Sequence, residues 1–223
     1  MTWAAKKKNK KDKEEVTQTL EVLPEPPAAI KADTARLAFY VSPLTTKGLL
    51  SQQVRDSIKA LWRARDIGQI VKIRAFVAGT GDMRRVQAIV AEMFSEKRLP
   101  LPVVSTVQVG GLPLEGAQVI LEATSVTKKP ANPNGLAFLS GRDVTEPLNA
   151  NQSTMPVAPL TAKSLAQLRQ VLEGIQLTPR DVLRVTCFTS SLDDYAQVRT
   201  MVAAEYPTAA QTIVQAQRAP GSA

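Results

Sequence analysis

Histidine is absent from the 223 residues, cysteine occurs once, and aromatic residues make up only 4% of the chain. Each shortage removes a class of chemistry. Without histidine there is no Ser-His or Cys-His nucleophile pair, no histidine-ligated zinc and no paired-histidine cleavage of RNA. The lone Cys187 cannot close an intramolecular disulfide or build a cysteine metal cluster. No apolar run approaches the roughly 20 residues of a membrane span. The lysine-rich start, MTWAAKKKNKKDKEE, has no apolar stretch behind it, as a secretory signal would. The expectation is a cytoplasmic protein with no membrane contact, no metal and no cofactor.

The net charge of +8 suggests nucleic acid until it is divided along the chain. Residues 1–15 hold six lysines against three acids and are too polar to fold alone, so they are read as a disordered basic tail. Such a tail can hold polyanions by counterion release. The body is only mildly basic and offers few rings on which bases could stack, which argues against nucleic acid as the partner.

What the chain does have is a repeat. VKIRAF (71–76) matches LRVTCF (183–188), and the same offset places GDMRRVQAIVAEMF on DDYAQVRTMVAAEY without a gap. Upstream, PLTTK (43–47) echoes PLTAK (159–163), and LAFYVS echoes LAFLSG. A period this long means a duplicated domain rather than a solenoid. Leu50, Val54, Ile58 and Leu61 fall at helical spacing, as do Leu165, Leu168, Leu172 and Ile175. VKIRAFV alternates as a half-buried strand does, and Asp82 and Asp193 or Asp194 are placed to cap the second helices. TQTLEV and ARLAFYV read as an opening hairpin. Each copy therefore reads β-β-α-β-α-β-β, an α+β layer with both helices on one sheet face. The expected units are a first domain over residues 16–130 and a second over 131–223, with NPNG (132–135) turning between them. The second copy stops after RAPGSA, before any counterpart of VILEA, so either the sequence is truncated, the preferred expectation, or this copy lacks its last strand.

Several residues have two readings. Gly79-Thr80-Gly81 opens a helix after a strand, but Arg84 stands where a dinucleotide fingerprint needs its third glycine, and the second copy has no glycine there. Cys187 lies on an apolar strand with no base nearby and reads as buried and inert. Trp62 reads as packing. Arg84 and Arg85 sit early in a helix, where the macrodipole disfavours cations.

The strand PVVSTVQVGGLP followed by VILEA, together with LAFLSGR and the run DVLRVTCFTSSLDDYAQVRTMVAAEYP, resembles the Rid family. These are the YjgF-like reactive-intermediate deaminases, also labelled endoribonuclease L-PSP. The resemblance implies two chorismate-mutase-like domains in tandem. It also implies a homo-oligomer with trimer-like packing, and clefts between subunits that take a small-molecule ligand. In active members an arginine directly before the Ser-Thr-Val strand grips the carboxylate of an enamine or imine acid such as 2-aminoacrylate. Water attacks the imine carbon, and a glutamate on the last strand positions it.

On this chain the arginine position falls on Val104 in the first copy and on Gln211 in the second. Neither can form a bidentate, charge-assisted pair with a carboxylate. The residues that follow are Ser105 and Thr106, or Thr212 and Ile213; the last-strand glutamate is Glu122, the catalytic candidate; Ser140 matches the family's first-strand serine. The resemblance thus points to a cleft of Val104, Ser105, Thr106, Glu122, Ser140, Gln211 and Thr212. The preferred expectation is a divergent tandem protein that binds a small metabolite or assembles an oligomer without efficient imine deamination. The alternative is a Rid-type hydrolase in which Arg36, Arg74 or Lys47 replaces the missing cation. The third is RNA binding or cleavage, carried by the tail and the older label.

Overall fold

The computed structural model describes residues 23–79, 83–140 and 157–216. The expected strand TQTLEV, Asp82, Thr80-Gly81, the lysine-rich residues 1–15 and the closing RAPGSA lie outside them.

The first repeat runs β1 (Leu37–Val41), α1 (Leu50–Trp62), β2 (Gln69–Ala78), α2 (Met83–Glu96), β3 (Val103–Val109) and β4 (Val119–Val126). Its strands form one sheet in the order β1-β4-β2-β3, with β2 and β3 parallel and the other pairs antiparallel. Both helices lie on one face. Leu50, Val54, Ile58 and Leu61 of α1 and Val86, Ile89, Val90, Met93 and Phe94 of α2 pack on Ile73, Ala75, Val77, Val119, Leu121 and Ala123. Each large aliphatic side chain buried there contributes about 1.5–3 kcal/mol. Gln53 is fully buried in that apolar layer, and its amide is satisfied. It donates to the Gly48 and Gly116 carbonyls at 3.1 and 3.0 Å and accepts from the Gln118 N–H at 2.8 Å. Gly68 turns the chain into β2 at φ +59, where a Cβ would stand 2.1 Å from the Val126 carbonyl oxygen. Only glycine fits that approach.

The second repeat supplies α3 (Val157–Gly174), β5 (Arg184–Thr189), α4 (Tyr195–Glu205) and β6 (Ala210–Gln215). Its β5 and β6 pair in parallel, as β2 and β3 do. Leu165, Leu172, Val198, Val202, Tyr206 and Ile213 form its core. Arg169 clamps Glu205 bidentately, Nε to Oε1 at 2.8 Å and Nη2 to Oε2 at 2.6 Å, tying α3 to α4. The architecture is α+β with two related repeats.

Two local expectations need correction. LAFLSG was expected to open the second repeat as a strand, yet Leu136–Ser140 has no regular structure. In the first repeat β1 pairs only with β4. Among the described residues no strand follows β6, and the corresponding segment pairs with none. Asp194 occupies the N-cap position of α4 without a side-chain cap bond, and the Asp193 carboxylate instead accepts from the Ser191 hydroxyl at 2.6 Å.

The repeats meet through their sheets. Gly110 N–H donates to the Gln215 carbonyl at 2.8 Å, and Gln215 N–H to the Gly111 carbonyl at 3.1 Å. Val214 of β6 is buried with Phe76, Val109, Leu112, Ala117 and Ile120. Phe76 and Phe188, which occupy matching positions in the repeat, meet edge to face with ring centroids 6.1 Å apart. The second sheet thus packs on part of the face of the first that its helices leave bare.

Candidate functional site

Strand pairing determines which side chains share that inter-sheet face, because residues in register point the same way. One row across the first sheet is Val41, Glu122, Arg74 and Ser105; the adjacent row is Phe39, Thr124, Lys72 and Val103. The next row, with Phe76 and Ile120, is apolar. The face therefore changes from hydrophobic at one end to charged at the other.

At the charged end Glu122 is the centre, with its side chain only 1% exposed. Thr186 of β5 donates its hydroxyl to Glu122 Oε1 at 2.8 Å. Arg74 of β2 and Arg184 of β5 both approach Oε2, at 3.6 and 3.7 Å. Those two contacts are ion pairs too long to be hydrogen bonds, and Oε2 has no hydrogen-bond partner among the described residues. Arg184 also lies over the Phe39 ring, 5.5 Å from its centroid, which fixes the guanidinium against the first sheet. Burial, followed by the repulsion of Arg74 and Arg184, pushes the Lys72 ammonium below its ordinary range, with Glu122 opposing. One carboxylate from the first repeat is thus shared with a hydroxyl and a guanidinium from the second.

Within one chain the residues named from the sequence do not gather into one cleft. Glu122 and Ser105 share the inter-sheet face, and Thr212, in register with Thr186, faces it from the second sheet. The Thr212 hydroxyl is buried without a hydrogen-bond partner among the described residues. Val104 and Thr106 are in register with Ile73 and Ala75, on the helix side. Gln211 pairs with Val185 on the helix side of the second sheet and donates to the Tyr206 carbonyl at 3.2 Å. Ser140 is exposed.

Of the substitute cations, Arg74 reaches Glu122; Arg36 donates to the Thr127 carbonyl at 2.7 Å, and Lys47 is exposed before α1. Arg184 and Thr186 were missed. Their signal was present, since the repeat aligns Lys72 with Arg184 and Arg74 with Thr186 on the polar positions of an alternating strand.

A groove of about 620 Å³ borders Val104, between the start of β3, Arg84 and Gln87 of α2, and the proline-rich segment 23–28. Trp62 packs as expected, its ring 5.3 Å from Phe94 and under the Lys97 ammonium at 4.5 Å. Arg85 reaches the Ser51 hydroxyl of α1 at 3.5 Å. Among the described residues no three acidic or thiol groups cluster as metal ligands, and no helix is long and apolar enough to cross a membrane.

A family model described as endoribonuclease L-PSP matches twice, over residues 44–127 and again over 129–223. The chain belongs to that family, as a tandem of Rid-like repeats. Among solved structures, it is similar to E. coli TdcF with bound serine, at 22% identity over 48% of this chain and 97% of TdcF, with a TM-score of 0.37. The E. coli YjgF gene product is 26% identical over 46% of this chain and 93% of its own, with a TM-score of 0.36. Mycobacterium tuberculosis Rv2704, described as a YjgF/YER057c/UK114 family member, is 26% identical over 42% of this chain and 80% of its own, with a TM-score of 0.33. No curated protein matches the chain.

In this Rid-like tandem the single thiol is half-buried on β5. Burial pushes Cys187 up to about 11. Because the unfolded thiol loses its proton at lower pH, the contribution of Cys187 to stability is present below about pH 9 and is lost as pH rises toward 11. Alkylation by iodoacetamide is expected to be slow in the folded protein at pH 8 and to become fast in urea; rapid labelling of the folded chain would contradict this burial.

Proposed function

We propose that this Rid-like tandem is a binding and assembly module without efficient imine deamination. The observation that carries the reading is the engagement of Glu122 by Thr186 and Arg184 of the second repeat. A glutamate that would position water in a deaminase here joins two sheets, and it lies on the opposite face from Val104. The groove beside Val104 gives room for a small-molecule ligand, and Val104 itself offers no charge to a carboxylate. Two units meeting near residue 130 and a cytoplasmic homo-oligomer belong to the same reading. The exposed Phe188 and Leu114 supply apolar surface for further copies to pack on, in the trimer-like manner of the family.

The second reading is a hydrolase of enamine or imine acids, favoured by Arg74 lying 3.6 Å from Glu122. One experiment separates the two. 2-Aminoacrylate is generated in place, and its decay is followed with the purified chain, whose oligomeric mass is measured by light scattering. The expected result is an oligomer that leaves the decay rate unchanged. Acceleration abolished by Arg74→Gln would establish the hydrolase instead. RNA binding or cleavage has no supporting geometry among the described residues.

A further inference from the structure

The charged end of the inter-sheet face holds more cation than its one carboxylate neutralises. Arg74 and Arg184 approach Glu122, Lys72 lies on the same face within reach of its charge, and among the described residues no other carboxylate acts on Lys72. Among the described residues the surplus is two positive charges. Their hydrogen-bonding capacity is equally unspent. Arg74 and Arg184 approach Glu122 at distances too long for hydrogen bonds, and Lys72 makes none among the described residues. Guanidinium and ammonium groups carry five and three donors respectively, so this cluster holds far more N–H groups than Glu122 can accept.

Like charges are held together here by the fold. Lys72 and Arg74 are two apart on β2 and so point to the same face, roughly 7 Å apart. Arg184 is brought across from the second repeat and held over Phe39. The Arg74 and Arg184 side chains remain 32% and 28% exposed, so the cluster is open to a solute rather than sealed. Thr212 adds on the same face a buried hydroxyl with no hydrogen-bond partner among the described residues.

We propose that Lys72, Arg74 and Arg184 form a binding site for a small oxyanion, carboxylate or phosphate, between the two repeats. The planar guanidinium forks suit either group, and Glu122 leaves their N–H donors free to bind it. An anion there links the repeats, since Lys72 and Arg74 come from one and Arg184 from the other. The site does not depend on whether the chain lacks deaminase activity, and its test uses no turnover.

The test is calorimetric titration of the full chain at fixed ionic strength, with inorganic phosphate and, separately, with malonate. One saturable site is expected. Tighter phosphate binding would assign a phosphoryl ligand, and tighter malonate binding a carboxylate. Lys72→Gln and Arg74→Gln should each weaken binding about ten-fold, the loss of one charge-assisted contact. Glu122→Gln, which removes the competing negative charge, should tighten it. Lys59→Gln, a control on the exposed side of α1, should change nothing. Among the described residues the Lys72 ammonium makes no hydrogen bond that folding would miss, so its variant keeps the test valid if Arg74→Gln fails to fold. The absence of saturation by either anion at about 10 mM, where a millimolar site would be filled, overturns the proposal. So does binding that Lys72→Gln leaves unchanged, or that Lys59→Gln weakens equally.

Discussion

Phe76→Ala should destabilise the chain by about 3–5 kcal/mol, whereas Phe188→Ala, the matching exchange in the second repeat, should cost about 1 kcal/mol or less. The two phenylalanines touch, but their surroundings differ. Phe76 is 1% exposed and surrounded by Val109, Leu112, Ala117, Ile120 and Val214, while Phe188 is 60% exposed. Truncating Phe76 therefore removes a full side chain's transfer energy and leaves a cavity between the sheets, which the surroundings fill only in part. A loss of this size is a large fraction of the roughly 5–15 kcal/mol that holds a typical domain folded. It also falls at the junction of the repeats. Urea unfolding of Phe76→Ala should consequently broaden or separate into two transitions, while Phe188→Ala keeps the wild-type shape. Two equally small losses would mean that the inter-sheet core contributes little; two equally large ones would mean that further copies bury Phe188 in an oligomer, which the concentration dependence of its unfolding midpoint would reveal.

The second large effect is expected at Glu122. Removing the carboxylate leaves Lys72, Arg74 and Arg184 facing one another without a counter-charge. Breaking a buried ion pair costs about 3–5 kcal/mol. The arginines here are about a third exposed, so screening reduces the expected loss for Glu122→Ala to about 2–3 kcal/mol. Glu122→Gln should cost less, because its amide oxygen still accepts from Thr186. Salt gives the diagnostic. Repulsion among partly exposed cations weakens as the Debye length falls from about 10 Å at 0.1 M to 3 Å at 1 M. The deficit of either variant, measured by urea midpoints, should shrink at high salt. A salt-independent deficit would indicate lost packing alone. A Glu122→Ala variant as stable as wild type would remove the carboxylate from its role in joining the repeats, and with it the main support for the assembly reading.

Much of this was legible in the sequence, and particular residues show why. The spacing of Val54, Ile58, Val86 and Val90 places them on buried helix faces, since helical periodicity needs no knowledge of what covers the face. The matching of VKIRAF with LRVTCF predicted two related units, and both supply parallel pairs of the same kind. The packing role of Trp62 is also a local property.

What the chain alone did not determine is which faces meet. Alternation along β3 groups Val104 with Thr106, and alternation along β4 groups Ile120 with Glu122. The relation between the strands depends on register, and a slip of one residue exchanges every side chain between faces. Only the pairing of Arg74 with both Ser105 and Glu122 puts Val104 on the helix side and the carboxylate on the other. The contact between Thr186 and Glu122 is more remote still. It joins residues 64 apart that belong to different repeats, and it exists because one sheet lies against the other. Local preferences built the strands and helices; long-range register and sheet-on-sheet packing decided where their charges converge.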